Sequence, residues 1–301
     1  MTLKSNIGSI IQVLSSYDVF SHPLTLSEIV EFSGIPHPSH QAIEEELNKL
    51  VASGEVFKHE KFYSLQPNPE IGEKRIMSNK EAERKMNIAH RKAQLIGRFP
   101  FVHAVMISGS MSKGVMHQDG DIDFFIVTKP NRLWIARTLL VFYKKVFLLN
   151  SRKYFCVNYF VDEEHLRISE QNLFTATEIV TILPMVNSEV YQRFMEVNAW
   201  TNEHYPNKAP REVTHTAHLR KGMFGKVMEK LLNGQLGERL DARFMKITLK
   251  RWQRKFGHFE EAEFELAMKT NKRVSKHHPS NFQQKVLDQY NEKLKRFEHL
   301  I

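Results

Sequence analysis

Near the start of the chain, Ile7, Ile10, Ile11, Leu14 and Tyr17 recur at helical spacing, which predicts an amphipathic helix with one buried face. Pro23-Leu24-Thr25 stops it. Thr25 with Glu28 makes a capping-box pattern, in which each side chain satisfies a backbone N–H of the other residue. That pattern opens a short helix bearing Ile29, Val30 and Phe32, closed by Gly34. Ser39 can cap a third helix with Ile43, Leu47 and Leu50 inward, ended by Gly54. Glu55 to Phe57 and Phe62 to Leu65 then read as two short strands around a turn at His59-Glu60. Gln66 to Gly72 breaks the pattern and reads as a linker. Ser78 with Glu81 predicts a second capping box, opening a helix with Met86, Ala89, Ala93 and Ile96 on one side.

The pattern changes at His103. His103 to Ser108 is a buried-strand run, and Gly109 to Gly114 is a small-residue turn. Phe124 to Val127 is a second apolar strand. Pro130-Asn131 begins a helix burying Leu133, Ala136, Leu139, Leu140 and Tyr143, and Tyr154 to Val161 reads as a third strand. From Leu173 onward the pattern is helical, through Leu183, Val190, Phe194 and the segments 223–232, 236–256, 259–268 and 282–300. The fold class expected is α+β in three parts: an N-terminal domain over 1–67, a mixed-sheet core over 75–170, and a helical C-terminal domain over 171–301.

Three helices and a hairpin in this order resemble the winged helix-turn-helix modules of many bacterial proteins, a resemblance covering residues 1–67. In such modules the third helix enters the major groove. Here that helix carries Glu44, Glu45 and Glu46 in succession, with Lys49 as its only fully charged base. Three carboxylates beside a phosphate backbone repel it, which argues against DNA binding. Lys58 and Lys61 in the wing are the basic positions left.

Composition narrows the class. Of 301 residues, 42% are hydrophobic and 26% charged, ordinary values for a globular chain. No apolar run reaches the ~20 residues a bilayer requires; the richest, Leu139 to Leu149, is broken by Lys144 and Lys145. Neither a membrane span nor a secretory pattern is present, and one cysteine, Cys156, fits a reducing compartment, so a cytoplasmic location is expected. The net charge of +9 favours anionic partners.

Ten residues separate Ser110 from Asp121-Ile122-Asp123. A strand ending in Gly109-Ser110, this gap, and Asp-x-Asp leading into a second strand resemble the signature of the DNA polymerase beta nucleotidyltransferase superfamily. Two residues apart on a strand, Asp121 and Asp123 project from one face. Their mutual repulsion and hard oxygen ligands suit Mg2+ (or Mn2+) bound together with substrate phosphates. Gly109 lets backbone approach a phosphate, Ser110, Ser112 and the turn N–H groups can donate to it, and Lys113 adds a point charge. The resemblance implies a magnesium-dependent, nucleotide-binding transferase that moves an NMP group from an NTP such as ATP to an acceptor hydroxyl. The acceptor itself stays open among small molecule, RNA and protein.

The superfamily normally supplies a third carboxylate from a later strand. Here the matching position is Asn158, which offers a neutral oxygen and accepts no proton near neutral pH. Asp162, Glu163 and Glu164 lie just beyond that strand as substitutes. Arg132 and Arg137 are further phosphate candidates, and Arg239, Arg243, Lys246, Lys250 and Arg254 form a basic stripe on the longest predicted helix. His215 with His218, and His277 with His278, lack the cysteines and spacing of a zinc site. Two readings remain open: an active nucleotidyltransferase, or a nucleotidyltransferase-fold protein that has lost turnover and acts in nucleotide binding, regulation or interaction.

Overall fold

The computed structural model describes residues 5–301 except 152, 258, 261–263, 265–266 and 278–281. Half of the predicted helix over 259–268 falls on undescribed residues, as does His278.

The N-terminal elements run α1 (Asn6–Asp18), β1 (Leu24–Thr25), α2 (Leu26–Glu31), α3 (His40–Ala52), β2 (Phe57–His59) and β3 (Phe62–Ser64). The capping box forms as the sequence specifies: Glu28 N donates to Thr25 Oγ1 at 3.3 Å and Thr25 N to Glu28 Oε2 at 2.8 Å. The strands make a small antiparallel sheet in the order β1-β3-β2. This unit does not close on itself. Its core continues into Ala176, Val180 and Tyr205, so its inner face packs against later parts of the chain.

The helix after the expected linker starts earlier than its sequence cap. α4 spans Glu70–Gly97, and Ser78 sits within it. Ser78 therefore caps nothing; its carbonyl accepts from Met116 N at 3.0 Å. Glu81 bonds Arg84 and Lys85 instead of a backbone N–H, each at 2.8 Å. Asn79 Nδ2 reaches Gly114 O at 2.9 Å and Lys85 Nζ reaches Gln118 O at 2.7 Å. This stretch of α4 is a rail that holds the loop leading into Asp121.

The central sheet is built from β4 (Val102–Ser108), β5 (Asp123–Thr128), β6 (Cys156–Asp162), β7 (Leu183–Val186) and β8 (Val274–Lys276), in the order β7-β4-β5-β6-β8. Among the described strand pairs of this sheet, only β5 and β6 run parallel. A parallel pair needs a crossover, and α6 (Leu133–Phe147) supplies it. Two edge strands come from the region expected to be helical: Leu183 lies in β7 between α7 (Leu173–Thr181) and α8 (Ser188–Val197). Short strands such as these carry too few residues to show a period of two. One face of the sheet buries Val105, Ile107, Phe124 and Ile126 against α4 and α6. The other buries Ala104, Met106, Phe125 and Val127 against α7 and α8. Beyond α8 follow α9 (Met223–Leu231), α10 (Gln235–Lys255) and α11 (Phe282–Lys295). The five basic positions of the predicted stripe are all exposed on α10. Among the described residues, no helix is long and apolar enough to cross a membrane.

Candidate active site

Gly109 opens a one-turn helix, α5 (Gly109–Ser112), directly at the end of β4, with φ of +71°. The antiparallel register sets Ser108 opposite Asp123, the first residue of β5. A Cβ on Gly109 would sit 2.8 Å from Asp123 Oδ2. Glycine is therefore required twice here, for its backbone conformation and for the space it leaves.

Asp121 precedes β5 and is half-buried. Between the two acids, Ile122 is buried in the α4–α6 core, and its backbone bonds Lys153 O and Cys156 N at 3.1 Å each. Asp121 and Asp123 are thereby fixed on either side of one anchored residue. Burial pushes the Asp123 carboxyl up to about 6, with the charges of Asp121 and Glu178 adding to the rise. The same crowding, together with Asp123, pushes the Cys156 thiol up to about 12, so it stays protonated and donates to Asp123.

Asn158 reaches the site through an irregularity. The β5–β6 register shifts between Phe124 and Phe125, which pair with Val157 and Tyr159, leaving Asn158 as an extra residue. Its Nδ2 lies 3.2 Å from Asp123 Oδ1 and 2.9 Å from Cys156 Sγ. The alternation expected over Val157, Tyr159 and Val161 is broken at this bulge: Val157 packs on one face, Tyr159 and Val161 on the other.

Glu178 is the residue that sequence reasoning missed. It sits on α7 among the apolar positions Ala176, Ile179 and Val180, and nothing in that pattern separates it from an ordinary solvent-facing glutamate. Its Oε2 accepts from Gly109 N at 3.1 Å, and its Oε1 pairs with Lys113 Nζ at 2.6 Å. A carboxylate of the chain thus occupies two donors that the turn would offer a phosphate.

The remaining candidates divide. Ser110 is exposed on α5. Ser112 is buried, and its Oγ donates to Gly109 O at 2.8 Å, so it shapes the turn. Asp162 lies at the opposite end of β6, paired with Thr128, and accepts from His165 Nδ1 at 2.6 Å. Glu163 is held there too, by His103 and Arg193. Neither belongs to the Asp123 site. Arg132 is buried and donates to Leu232 O at 2.7 Å and Gly234 O at 2.9 Å, fixing the α9–α10 connection. Arg137 lies over Trp252, 4.7 Å from the ring centre.

Could the site hold a cation? Among the described residues no group of three His, Cys, Asp or Glu side chains is arranged to ligate a metal alone. Asp121 and Asp123 nevertheless fit a hard divalent ion: they are oxygen donors, close enough for one to raise the pKa of the other. Such an ion would draw its remaining ligands from substrate phosphate and water.

Comparison with known proteins agrees with this geometry over part of the chain. No curated protein and no solved structure matches it. A family model described as "Nucleotidyltransferase domain" matches residues 92–183, the stretch holding Gly109, Asp121, Asp123, Asn158 and Glu178. Residues 92–183, under a third of the chain, are thus similar to a nucleotidyltransferase domain.

Proposed function

We propose that this protein transfers a nucleoside monophosphate from an NTP to an acceptor hydroxyl, with a divalent cation, Mg2+ or Mn2+, between Asp121 and Asp123. The observation that carries the reading is the approach of Gly109 to Asp123, which joins a tight glycine turn to a half-buried, electrostatically crowded carboxylate. Bound there, the cation would neutralise charge on the triphosphate. Gly109 N, Ser110 and Lys113 hold the phosphates, and Ser112 keeps the turn in shape. The arriving triphosphate displaces Glu178 from Gly109 N and Lys113. Released, Glu178 accepts the acceptor's hydroxyl proton as the oxygen bonds the α-phosphorus and the α–β bridging bond breaks, expelling pyrophosphate.

A second reading keeps nucleotide binding and drops turnover. It is favoured by Asn158, whose amide donates to Asp123 where the resemblance implies an acid. The two separate by incubating the protein with each labelled NTP, magnesium and a cell extract. Label appearing in an acceptor, and lost in Asp121→Asn with Asp123→Asn, supports transfer. Tight NTP binding with no labelled product supports the second reading.

The N-terminal unit supports the winged-helix reading through its element order, α1-β1-α2-α3-β2-β3. Glu44 and Glu45 are exposed on α3, so we assign the unit to packing and protein contact in place of DNA.

A further inference from the structure

Behind Asp123, the sheet, α7 and α11 enclose a chamber of 290 Å³. That is near the lower bound of the ~300–1,000 Å³ typical of small-molecule pockets. Its walls are aromatic: Phe125 and Tyr159 stack at 4.9 Å, and Phe174 meets Phe282 edge-on at 6.0 Å. Its two ends carry different chemistry. One end presents Asp123, Asn158 and Glu178. The other presents Lys276, Gln283 and Glu170.

Lys276 lies on β8 opposite Tyr159, so two strand spacings, roughly 10 Å, separate its strand from β5. It is 7% exposed and donates to Gln283 Oε1 at 3.0 Å. Among the described residues, Glu170 is the carboxylate whose charge favours the Lys276 ammonium. Glu170 is already bonded by Lys269 at 2.8 Å. Among the described residues, one carboxylate thus faces two ammonium groups at this end of the chamber, which leaves a surplus positive charge there against an apolar wall. Burying a charge without a counter-charge is costly. A ligand that brings an anion removes that cost.

We propose that this chamber is the acceptor site and that it takes a small amphiphilic acid. The ligand's carboxylate sits on Lys276 and Gln283, its aromatic or aliphatic body lies along Phe125 and Tyr159, and its hydroxyl faces Asp123. The hydroxyl end rests on the transfer reading above; the anion end stands on Lys276 alone. Lys276 and Gln283 lie outside the matched residues 92–183, so selectivity is contributed by chain the domain model does not cover.

The test is calorimetric titration of the full chain, without metal or NTP, with para-hydroxyphenylpropionate, ω-hydroxydecanoate and the methyl ester of each. The acids bind at least ~10-fold more tightly than their esters, since a charge-assisted hydrogen bond to a buried ammonium is among the stronger kinds. Lys276→Met abolishes that preference, while ester binding persists. This variant removes a buried charge and should fold; Gln283→Leu, which keeps the ammonium, provides a weaker second reduction. No binding by either acid at millimolar concentration, or an acid preference that survives Lys276→Met, overturns the assignment. Adding MgATP and analysing the ligands by mass spectrometry tests the other end. Lys276-dependent binding without a nucleotidyl adduct retains the anion site and overturns the transfer reading.

Discussion

Gly109 and Asp123 are in contact across the β4–β5 pair, and a single carbon added to Gly109 would press on the Asp123 carboxylate at 2.8 Å. Gly109→Ala should therefore act on stability and on the site together. The positive φ costs about 1–2 kcal/mol for a side-chain-bearing residue. Displacing Asp123 should lower any transfer by up to about 10²-fold, the scale of a ~1 Å misplacement. Chemical denaturation and labelled-NTP turnover on the same preparation check both; full activity in a destabilised variant would break the link.

Mg2+ or Mn2+ should raise the melting temperature of the protein, and Asp121→Asn with Asp123→Asn should remove the rise. A ligand that binds only the folded form stabilises it by mass action. Relief of the repulsion from Asp121 and Glu178, which adds to the burial that raises the Asp123 carboxyl to about 6, should add to the effect. Scanning calorimetry in millimolar metal, with and without NTP, is the measurement. An unchanged transition in every condition counts against the cation site.

Replacing Glu178 should split binding from chemistry. In the proposed reaction Glu178, which accepts from Gly109 N and Lys113 Nζ, competes with phosphate for both donors. Glu178→Gln should then tighten NTP binding, read by fluorescence titration with a labelled nucleotide. Loss of the proton acceptor should slow transfer by ~10²–10⁴-fold. Weaker NTP binding in the variant would contradict the competition.

Asn158→Asp adds an acid beside Asp123, which the amide now contacts at 3.2 Å. Without metal the variant should be less stable than the wild type; with Mn2+ its stabilisation should be the larger of the two. Transfer should rise if the missing acid limits it. A slower enzyme with unchanged metal response would show that the amide itself is used.

Away from the site, Asp241 of α10 accepts from Ile135 N at 2.9 Å, at the start of α6, and its other oxygen has no hydrogen-bond partner among the described residues. Burial pushes its carboxyl from 3.8 up to about 6. A raised folded-state pKa means the native state holds the extra proton between these values, so this contribution to stability is full below about pH 4 and is lost as pH rises through 6. The loss is about 3 kcal/mol at most. Relative to wild type, Asp241→Asn should gain stability from pH 4 to pH 7 in urea melts. A difference independent of pH would exclude Asp241 as the titrating group.

What the sequence determined by itself was local. Thr25 and Glu28 specify a helix start within four residues, and the capping bonds form as written. The Gly109-Ser110 and Asp121-x-Asp123 spacing points to paired strands because both halves sit on short, strongly apolar runs. What needed the tertiary structure was every relationship set by distant chain. Ser78 looked like a cap, yet the helix had already begun at Glu70, since tertiary packing that buries Ile71 overrides a local signal. Glu178 carries no mark in its own helix; its place beside Asp123 exists only because α7 packs on the sheet. Lys276 was invisible for the same reason. A three-residue strand shows no period, and a lysine reads as surface until the fold closes α11 over it.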